Sequence, residues 1–229
     1  MLRIALIEDD PVQAELVAGW INQAGHRCHQ FANGQSFLKK LQQESFDLVI
    51  LDWGLPDIDG HTLLQQIRDA FGWDFPIIFY TSRDREQDIV AALTTGADDY
   101  IVKPARQQET LARINALARR NKAGEGGQIS QLGTVTLDSG ARRILVNGVE
   151  IELTQREYEL AVFLLNNIGR VLSRGHMLES VWGHSAELNT RTVDAHISRI
   201  RRKLGLTPDN HWKLSSVYQY GYRLELIHD

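Results

Sequence analysis

Short apolar runs alternate with helix-like patterns along the first half of the chain. In the first such pattern Val12, Leu16 and Trp20 recur at helical spacing, after an Asp10-Pro11 pair suited to begin a helix. Five alternations of this kind predict an α/β fold with a doubly wound parallel sheet in (βα)5 order. The predicted strands are 2–7, 26–31, 47–51, 76–80 and 99–102, and the predicted helices are 11–24, 33–41, 60–70, 84–95 and 106–120.

The alternation stops at residue 120. Residues 121–128 contain three glycines and few apolar side chains, a composition typical of a flexible tether. We therefore predict a first domain at 1–120, a linker at 121–128 and a second domain at 129–229.

The second domain opens with short strand patterns and continues with helices. Strands are predicted at 135–137 and 144–146 and at the alternating apolar positions of 149–153, with Asn147-Gly148 as a hairpin turn. A capping box, Thr154 with Glu157, begins a helix that runs to about Asn167. Two further helices at 174–182 and 190–204 and a terminal hairpin at 212–227 predict a winged helix-turn-helix.

The helix at 190–204 has two distinct faces. Its apolar face carries Val193, Ile197, Ile200 and Leu204. A basic stripe on a helix indicates a polyanionic partner. The opposite, polar face carries Arg191, Ala195, Ser198, Arg199 and Arg202.

Acidic residues follow the first and third apolar runs of the first domain. Glu8, Asp9 and Asp10 end the first run, and Asp52 ends the third. Parallel strands deliver their carboxyl ends to one edge of the sheet, so these carboxylates should meet there. Because like charges held together repel, the cluster predicts a bound cation, and hard oxygen ligands suit Mg2+.

Composition excludes several classes of protein. A net charge of -4 and 43% hydrophobic residues describe a globular chain, and the single cysteine, Cys28, excludes an intramolecular disulfide. No apolar run approaches the roughly 18 residues of a membrane span. We expect a cytoplasmic protein.

Six ordered segments carry a family resemblance. The chain resembles the OmpR/PhoB family of two-component response regulators, which implies a flavodoxin-like receiver domain followed by a winged-helix DNA-binding domain. The matching segments are 6–10 (LIEDD), 51–60 (LDWGLPDIDG), 79–83 (FYTSR), 96–104 (GADDYIVKP), 153–165 (LTQREYELAVFLL) and 191–204 (RTVDAHISRIRRKL), with GYRL at 221–224.

The resemblance implies roles for the residues of the receiver. Asp52 would be the phosphoacceptor, and Lys103 would pair with phosphoryl oxygens. Thr81 would bond one of those oxygens, and the ring of Tyr100 would move inward as Thr81 shifts. The implied Mg2+ ligands are Glu8, Asp9, Asp52 and the backbone carbonyl of Gly54.

The resemblance also implies a homodimer that forms on phosphorylation. Its candidate interface residues are Asp98, Asp99, Arg113 and Arg120. Three positions depart from the family pattern of paired charges on this face, Ile89, Thr94 and Asn115, and Ala105 replaces the Phe that commonly follows Lys-Pro.

In the second domain the resemblance places the 190–204 helix in the major groove of promoter DNA. Arg199 is the leading base-reading residue, because arginine can donate two bonds to guanine. In the wing, Tyr218-Gln219 stands where Arg-Gly is frequent, and loop 182–189 corresponds to a contact with RNA polymerase. The remaining candidate DNA contacts are Arg191, Thr192, Ser198, Arg202, Lys203 and Arg223.

These features predict a regulator of transcription that a sensor histidine kinase phosphorylates on Asp52. One alternative is a winged-helix factor whose receiver is passive and insensitive to phosphate. Another is a metal-dependent phosphatase with an aspartyl-phosphate intermediate, although such enzymes need a second carboxylate two residues after the nucleophile, where this chain has Gly54.

Overall fold

The computed structural model describes residues 1–72, 75–121, 129–183 and 191–227. The chain divides into two compact units: the first consists of Met1–Gln42 and Phe46–Asn121, and the second contains the described residues from 129 onward. Most of the predicted linker, 122–128, lies outside the described residues. In the part of the chain that is described, no helix is both long and apolar enough to cross a membrane.

The first unit contains a five-stranded sheet in which all strands are parallel. The sheet order is β2-β1-β3-β4-β5, so the chain winds in both directions from β1, as the sequence predicts. Ile7, the last residue of β1, pairs with Phe31 of β2 and Leu51 of β3, which aligns the carboxyl ends of these strands. The strands are β1 (Arg3–Ile7), β2 (Arg27–Phe31), β3 (Leu48–Leu51), β4 (Ile77–Thr81) and β5 (Asp99–Val102).

Five helices cover the two faces of this sheet. Alternate strand residues point to opposite faces, so Leu6 packs in one core cluster and Ile7 in the other. The Leu6 side receives α1 and α5, and the Ile7 side receives α2, α3 and α4. The helices are α1 (Pro11–Gln23), α2 (Gly34–Leu41), α3 (Gly60–Phe71), α4 (Glu86–Thr95) and α5 (Gln107–Asn121).

Asp10 caps α1. Its Oδ1 accepts hydrogen bonds from the amides of Val12 (2.8 Å) and Gln13 (3.3 Å). An aspartate in this position satisfies backbone donors that a helix leaves unpaired. Of the three acidic residues after β1, Glu8 and Asp9 are the two that group with Asp52.

The second unit opens with a four-stranded antiparallel sheet. It consists of β6 (Ile129–Leu132), β7 (Val135–Asp138), β8 (Arg143–Val146) and β9 (Val149–Glu150). The Asn147-Gly148 turn is confirmed, with φ of +52° and +79°. The sequence did not indicate β6, because two polar residues separate its apolar ends, and β9 ends before the predicted Leu153.

Three helices and a second sheet complete this unit. The helices are α6 (Gln155–Leu165), α7 (Arg174–Trp182) and α8 (Arg191–Lys203). The sheet consists of β10 (Val171–Ser173), β11 (Trp212–Val217) and β12 (Gly221–Leu226), with β12 in the centre. The terminal hairpin is confirmed, and the three-residue strand β10 was not predicted. The arrangement is a winged helix-turn-helix.

Candidate functional site

Four polar residues lie at the carboxyl end of the parallel sheet. Glu8 follows β1, Asp52 follows β3, Thr81 ends β4, and Lys103 follows β5. Because these strands run in the same direction, their ends bring all four residues to one edge. This grouping agrees with the sequence prediction.

Lys103 connects the two buried carboxylates. Its Nζ lies 2.6 Å from Glu8 Oε2 and 2.8 Å from Asp52 Oδ2. The side chains of Glu8, Asp52 and Lys103 are only 1%, 11% and 12% exposed. Charges this far from water are stable only when paired, so the ammonium group compensates two carboxylates that would otherwise repel each other.

Burial acts in opposite directions on the pKa values of Glu8 and Lys103. Burial raises the pKa of Glu8, and the nearby Lys103 offsets this only in part. Burial alone would lower the pKa of Lys103, but its bonds to Asp52 and Glu8 outweigh that effect and raise it. Lys103 therefore remains a cation at neutral pH and can neutralise an anion placed beside Asp52.

The same edge presents a set of oxygen atoms suited to a divalent cation. One carboxylate oxygen from each of Glu8, Asp9 and Asp52 lies within 4.8 Å of the others. Asp9 is exposed, so the group opens to solvent. Hard oxygen donors at this spacing fit Mg2+, with Gly54 on the adjoining loop. The crevice is lined by Glu8, Asp9, Asp10, Gln13, Asp52, Ser82, Lys103 and Pro104.

Thr81 and Tyr100 both contact the loop that follows β4. The buried Thr81 accepts a hydrogen bond on Oγ1 from the amide of Arg83 (3.4 Å), and the Tyr100 hydroxyl donates to the carbonyl of Arg83 (2.9 Å). The Tyr100 ring points inward and packs near Phe79, with ring centroids 5.9 Å apart. Burial raises the pKa of Tyr100 to about 12, so its hydroxyl stays protonated and can donate this bond.

Sequence reasoning missed two residues next to this site, Trp53 and Arg83. The amide of Trp53 donates to Asp52 Oδ1 at 2.6 Å, and its indole Nε1 donates to Asp59 Oδ2 at 2.9 Å. The Arg83 guanidinium lies 4.7 Å from the centre of the Trp53 ring, a cation–π geometry. The sequence could have indicated Trp53 by its place directly after Asp52, whereas no local pattern pointed to Arg83.

Asp98, a candidate interface residue, bonds inside the first unit. Its Oδ2 accepts from Arg68 Nη2 at 2.7 Å and from the amide of Ile77 at 2.8 Å. Arg68 is only 7% exposed in its side chain. Asp98 therefore ties α3 to the start of β4, a structural role that the sequence did not suggest.

The other interface candidates lie around α5. Arg113 bonds Asp99 at 3.0 Å and Glu109 at 2.9 Å, both at the surface. The side chain of Arg120 lies outside the described residues. Among the departures from the family pattern, Ile89 packs against the core, which explains an apolar residue there, whereas Thr94 and Asn115 are exposed.

In the second unit, α8 has the two faces that the sequence predicts. The apolar residues Val193, Ile197 and Ile200 are at most 1% exposed. The opposite face is polar and solvent-accessible, which leaves it open to a partner. It carries Arg191, Ala195, Ser198, Arg199 and Arg202, all exposed, with Thr192 partly buried beside them.

Other basic residues near α8 bond within the second unit. Lys203 donates to the buried Glu157 (2.8 Å) and to the carbonyl of Glu152 (3.0 Å), and Arg201 donates to the carbonyl of Leu214 (2.8 Å). Arg223 lies on β12 with its Nε 3.3 Å from Glu225 Oε1. DNA contact by Lys203 and Arg223 stays a prediction, and both have partners within the unit.

Asp194, the one acidic residue of α8, joins three elements. Its Oδ1 accepts from Arg174 Nε of α7 at 2.9 Å and from the Tyr222 hydroxyl of β12 at 2.7 Å. The Arg174 guanidinium also lies 4.9 Å from the centre of the Tyr222 ring. This group fixes the N-terminal half of α8 against the hairpin. The predicted polymerase loop, from 184 onward, lies outside the described residues.

The capping box at the start of α6 gives a pH-dependent prediction. Burial opposes ionisation of Glu157, but its bonds to Lys203 and to the amide of Thr154 outweigh this and lower its pKa. Ionised Glu157 therefore stabilises the fold above its unfolded pKa, and the contribution is lost as pH falls through the folded pKa. We expect Glu157→Gln to cost about 1–3 kcal/mol at neutral pH and progressively less as the pH falls below the ordinary glutamate pKa of 4.5.

Thermal unfolding of both chains across this pH range would measure the difference. Glu159→Gln on the same helix is the matched control, because Glu159 bonds the exposed Gln155 and Arg156 near the surface and should change stability by less than about 1 kcal/mol. A Glu157→Gln penalty that is constant with pH would contradict the ionised role of this carboxylate.

A buried carboxylate–lysine group at a parallel sheet edge, joined in one chain to a winged helix, defines the class of response regulators that bind DNA. Comparisons with known proteins agree. Residues 4–115 match the family model described as response regulator receiver domain, and residues 148–224 match the one described as transcriptional regulatory protein, C terminal.

Full-length relatives specify the family. The sensory transduction protein RegX3 of Mycolicibacterium smegmatis is 34% identical over 229 residues, which covers 98% of this chain and 100% of RegX3. The phosphate regulon transcriptional regulatory protein PhoB of Rhizobium meliloti is 35% identical over 97% of this chain and 98% of PhoB. The chain belongs to the OmpR/PhoB family of two-component response regulators and is a DNA-binding regulator of transcription.

A solved structure supports the fold of the first unit. The receiver domain of the Francisella response regulator 1452 aligns with a TM-score of 0.51 and 25% sequence identity. The alignment covers 53% of this chain and all of that domain.

Proposed function

We propose that Asp52 accepts a phosphoryl group from a sensor histidine kinase and that this modification controls how the second unit binds promoter DNA. The observation that carries the proposal is the position of Lys103, which holds Asp52 and Glu8 together at the sheet edge. A lysine within 3 Å of a nucleophilic carboxylate is well placed to neutralise the oxygens of an incoming phosphoryl group.

In the reaction that we propose, a carboxylate oxygen of Asp52 attacks phosphorus while the bond from phosphorus to the donor breaks. The product is an acyl phosphate on Asp52, and the electron pair of the broken bond leaves with the donor. Lys103 neutralises charge on the transferred group. Mg2+, which Glu8, Asp9, Asp52 and the Gly54 carbonyl would hold, supplies further neutralisation of the phosphoryl oxygens.

The contacts of the loop after β4 support a route for the signal. Thr81 currently accepts from the amide of Arg83, and Arg83 also holds the Tyr100 hydroxyl through its carbonyl. When Thr81 turns its hydroxyl to the new phosphoryl oxygens, the loop at Arg83 shifts, and with it the carbonyl that holds the hydroxyl of the Tyr100 ring, which already points inward. The phosphoryl group adds a charge of about -1.5 to -2. This charge favours the conformation of the loop after β4 and of Tyr100 in which it is better neutralised.

We propose that the shift promotes homodimerisation through the surface of α4, β5 and α5. Asp99 and Arg113 lie there as a partly exposed ion pair, and Arg120 is on the same helix. Asp98 contributes less than the sequence suggested, since its carboxylate already bonds Arg68. Dimerisation would place two copies of α8 on paired half-sites, as in other symmetric regulators.

On DNA, α8 would enter the major groove with its exposed face. Arg199 would read guanine, whereas Arg191, Thr192, Ser198 and Arg202 would bond phosphates or neighbouring bases. Contact of the 182–189 loop with RNA polymerase is part of the same proposal. The residue two positions after Asp52 is Gly54, which has no carboxylate for acid–base work on external esters, so we propose that the receiver acts only on its own phosphoryl group.

DNA affinity with and without a small phosphodonor tests this function. We expect acetyl phosphate with Mg2+ to raise the affinity of the full chain for a duplex carrying its half-sites by about 5- to 150-fold, the usual range of coupling between two sites. Fluorescence anisotropy at fixed salt measures it. Equal affinities in a chain shown by mass spectrometry to be phosphorylated would instead support a passive receiver.

A further inference from the structure

The loop between β3 and α3 (52–59), which we call the site loop, begins with Asp52 and is closed at its base by short contacts. The amide of Gly60 donates to the carbonyl of Trp53 at 2.9 Å. A Cβ on Gly60 would lie only 2.6 Å from the backbone oxygen of Asp52, so this approach requires glycine. Asp59 accepts a hydrogen bond from the indole Nε1 of Trp53 at 2.9 Å. Both ends of the loop are therefore fixed beside Asp52.

The outer part of the site loop is held by a carboxylate that bonds the start of another helix. Asp57 Oδ1 accepts from the amide of Gly34 at 3.0 Å, and its Oδ2 accepts from the amide of Gln35 at 2.8 Å. These are the first two amides of α2, and a helix leaves such groups without a partner of its own. Asp57 therefore supplies α2 with part of its cap from a distant segment of the chain.

The contact between the site loop and α2 also requires a small residue at the first position of the helix. A Cβ on Gly34 would lie 2.3 Å from Cγ2 of Ile58 and 3.0 Å from Cδ2 of Leu63. Ile58 follows Asp57 and packs against the core. The loop is thus held on α2 by two hydrogen bonds and by close packing at the neighbouring residue.

We propose that Asp57 is a positioning residue for the divalent cation, because its two bonds to α2 hold the site loop in the conformation in which Gly54 can offer its backbone carbonyl to the ion. The inference rests on the proposed Mg2+ site. Gly54 is exposed and lies three residues before Asp57, in a segment without helix or strand. Without the two bonds the loop adopts other conformations, and the apparent affinity for the ion falls with the fraction of loops that remain competent.

Titration of the full chain with Mn2+ alone tests this role. Mn2+ takes oxygen ligands as Mg2+ does, and electron paramagnetic resonance measures the unbound ion. We expect Asp57→Ala to weaken Mn2+ binding about three- to tenfold, which corresponds to about a third to a tenth of the loops being competent. Asp57→Asn keeps one acceptor oxygen and should weaken binding less. Circular dichroism checks the folding of both variants, and Asp57→Asn alone suffices for the test if Asp57→Ala does not fold.

Asn33→Ala is the matched control for an effect that comes only from α2. Asn33 Oδ1 accepts from the amide of Ser36 at 2.9 Å, so this residue caps the same helix from its own N-cap position. Asn33→Ala should lower stability, as Asp57→Ala does, but leave the affinity for Mn2+ unchanged. Equal losses of affinity in the two variants would overturn the proposal, because the effect would then arise from the helix and not from the site loop.

Asp9→Asn separates this inference from the cation site on which it rests. The substitution removes a carboxylate of the site itself and should weaken Mn2+ binding more than Asp57→Ala does. If neither variant weakens binding, the proposed cation site fails. If Asp9→Asn weakens binding and Asp57→Ala does not, only the role of Asp57 is overturned.

The coupling between the ion and the loop must act in both directions. Bound Mg2+ should therefore slow hydrogen exchange of the Gly34 and Gln35 amides by about the same three- to tenfold, since the ion favours the loop conformation in which Asp57 bonds them. Exchange rates measured by NMR on the wild-type chain, with and without saturating Mg2+, give this factor. Rates of these two amides that do not respond to Mg2+ would contradict the positioning role.

Discussion

Asp52→Asn is expected to abolish phosphoryl transfer from acetyl phosphate to the chain. The amide has nearly the shape of the carboxylate and can still lie near Lys103, but it lacks the charged oxygen that attacks phosphorus. The fold should tolerate the change, because Lys103 keeps its 2.6 Å bond to Glu8. Intact-mass spectrometry after incubation with acetyl phosphate and Mg2+ would show the phosphoryl adduct on the wild type alone.

Asp69→Asn is the matched control for this experiment. Asp69 is an exposed residue of α3, so the same chemical change is made outside the site. Its labelling should equal that of the wild type. Undiminished labelling of Asp52→Asn would remove Asp52 from its role, and the position of the adduct could then be found by peptide mapping.

Arg68→Met is expected to cause a large loss of stability in the first unit. The Arg68 guanidinium donates to the carbonyls of Gly72, Phe75 and Gly96 at 2.8–3.1 Å and to Asp98 at 2.7 Å. Methionine fills similar space but removes the donor from the three carbonyls and the charge partner from Asp98, which keeps only its bond from the Ile77 amide. Breaking a buried ion pair in this way costs about 3–5 kcal/mol.

Native-state hydrogen exchange measures this loss in the first unit alone. We expect amides of β3 and β4 to exchange at least about a hundredfold faster in Arg68→Met, since each 1.4 kcal/mol is a factor of ten. Arg113→Met is the control, because Arg113 is 39% exposed and its pairs with Asp99 and Glu109 lie at the surface. Its effect should stay below about 1 kcal/mol, and equal effects of the two variants would contradict the account of Arg68.

The pattern of the sequence was sufficient for most of the fold. Apolar runs at strand spacing, helical repeats and local caps are short-range features, so Asp10, Thr154 with Glu157, and Asn147-Gly148 could each be predicted without tertiary contacts. The strands that were missed, β6 and β10, have three or four residues and no apolar alternation of their own. They form because the neighbouring strands β7 and β12 supply hydrogen-bond partners.

The candidate site was predictable for a similar reason. Parallel strands end at one edge, so residues placed directly after them, such as Glu8, Asp52 and Lys103, meet there whatever the details of packing. Tertiary structure alone decided which basic and acidic residues pair with one another within the protein. Asp98 bonds Arg68 and Lys203 bonds Glu157, because folding brings together residues 30 and 46 positions apart that no local spacing relates. The sequence by itself therefore determined the elements and the edge at which chemistry occurs, while long-range packing determined which charges remain available to a partner.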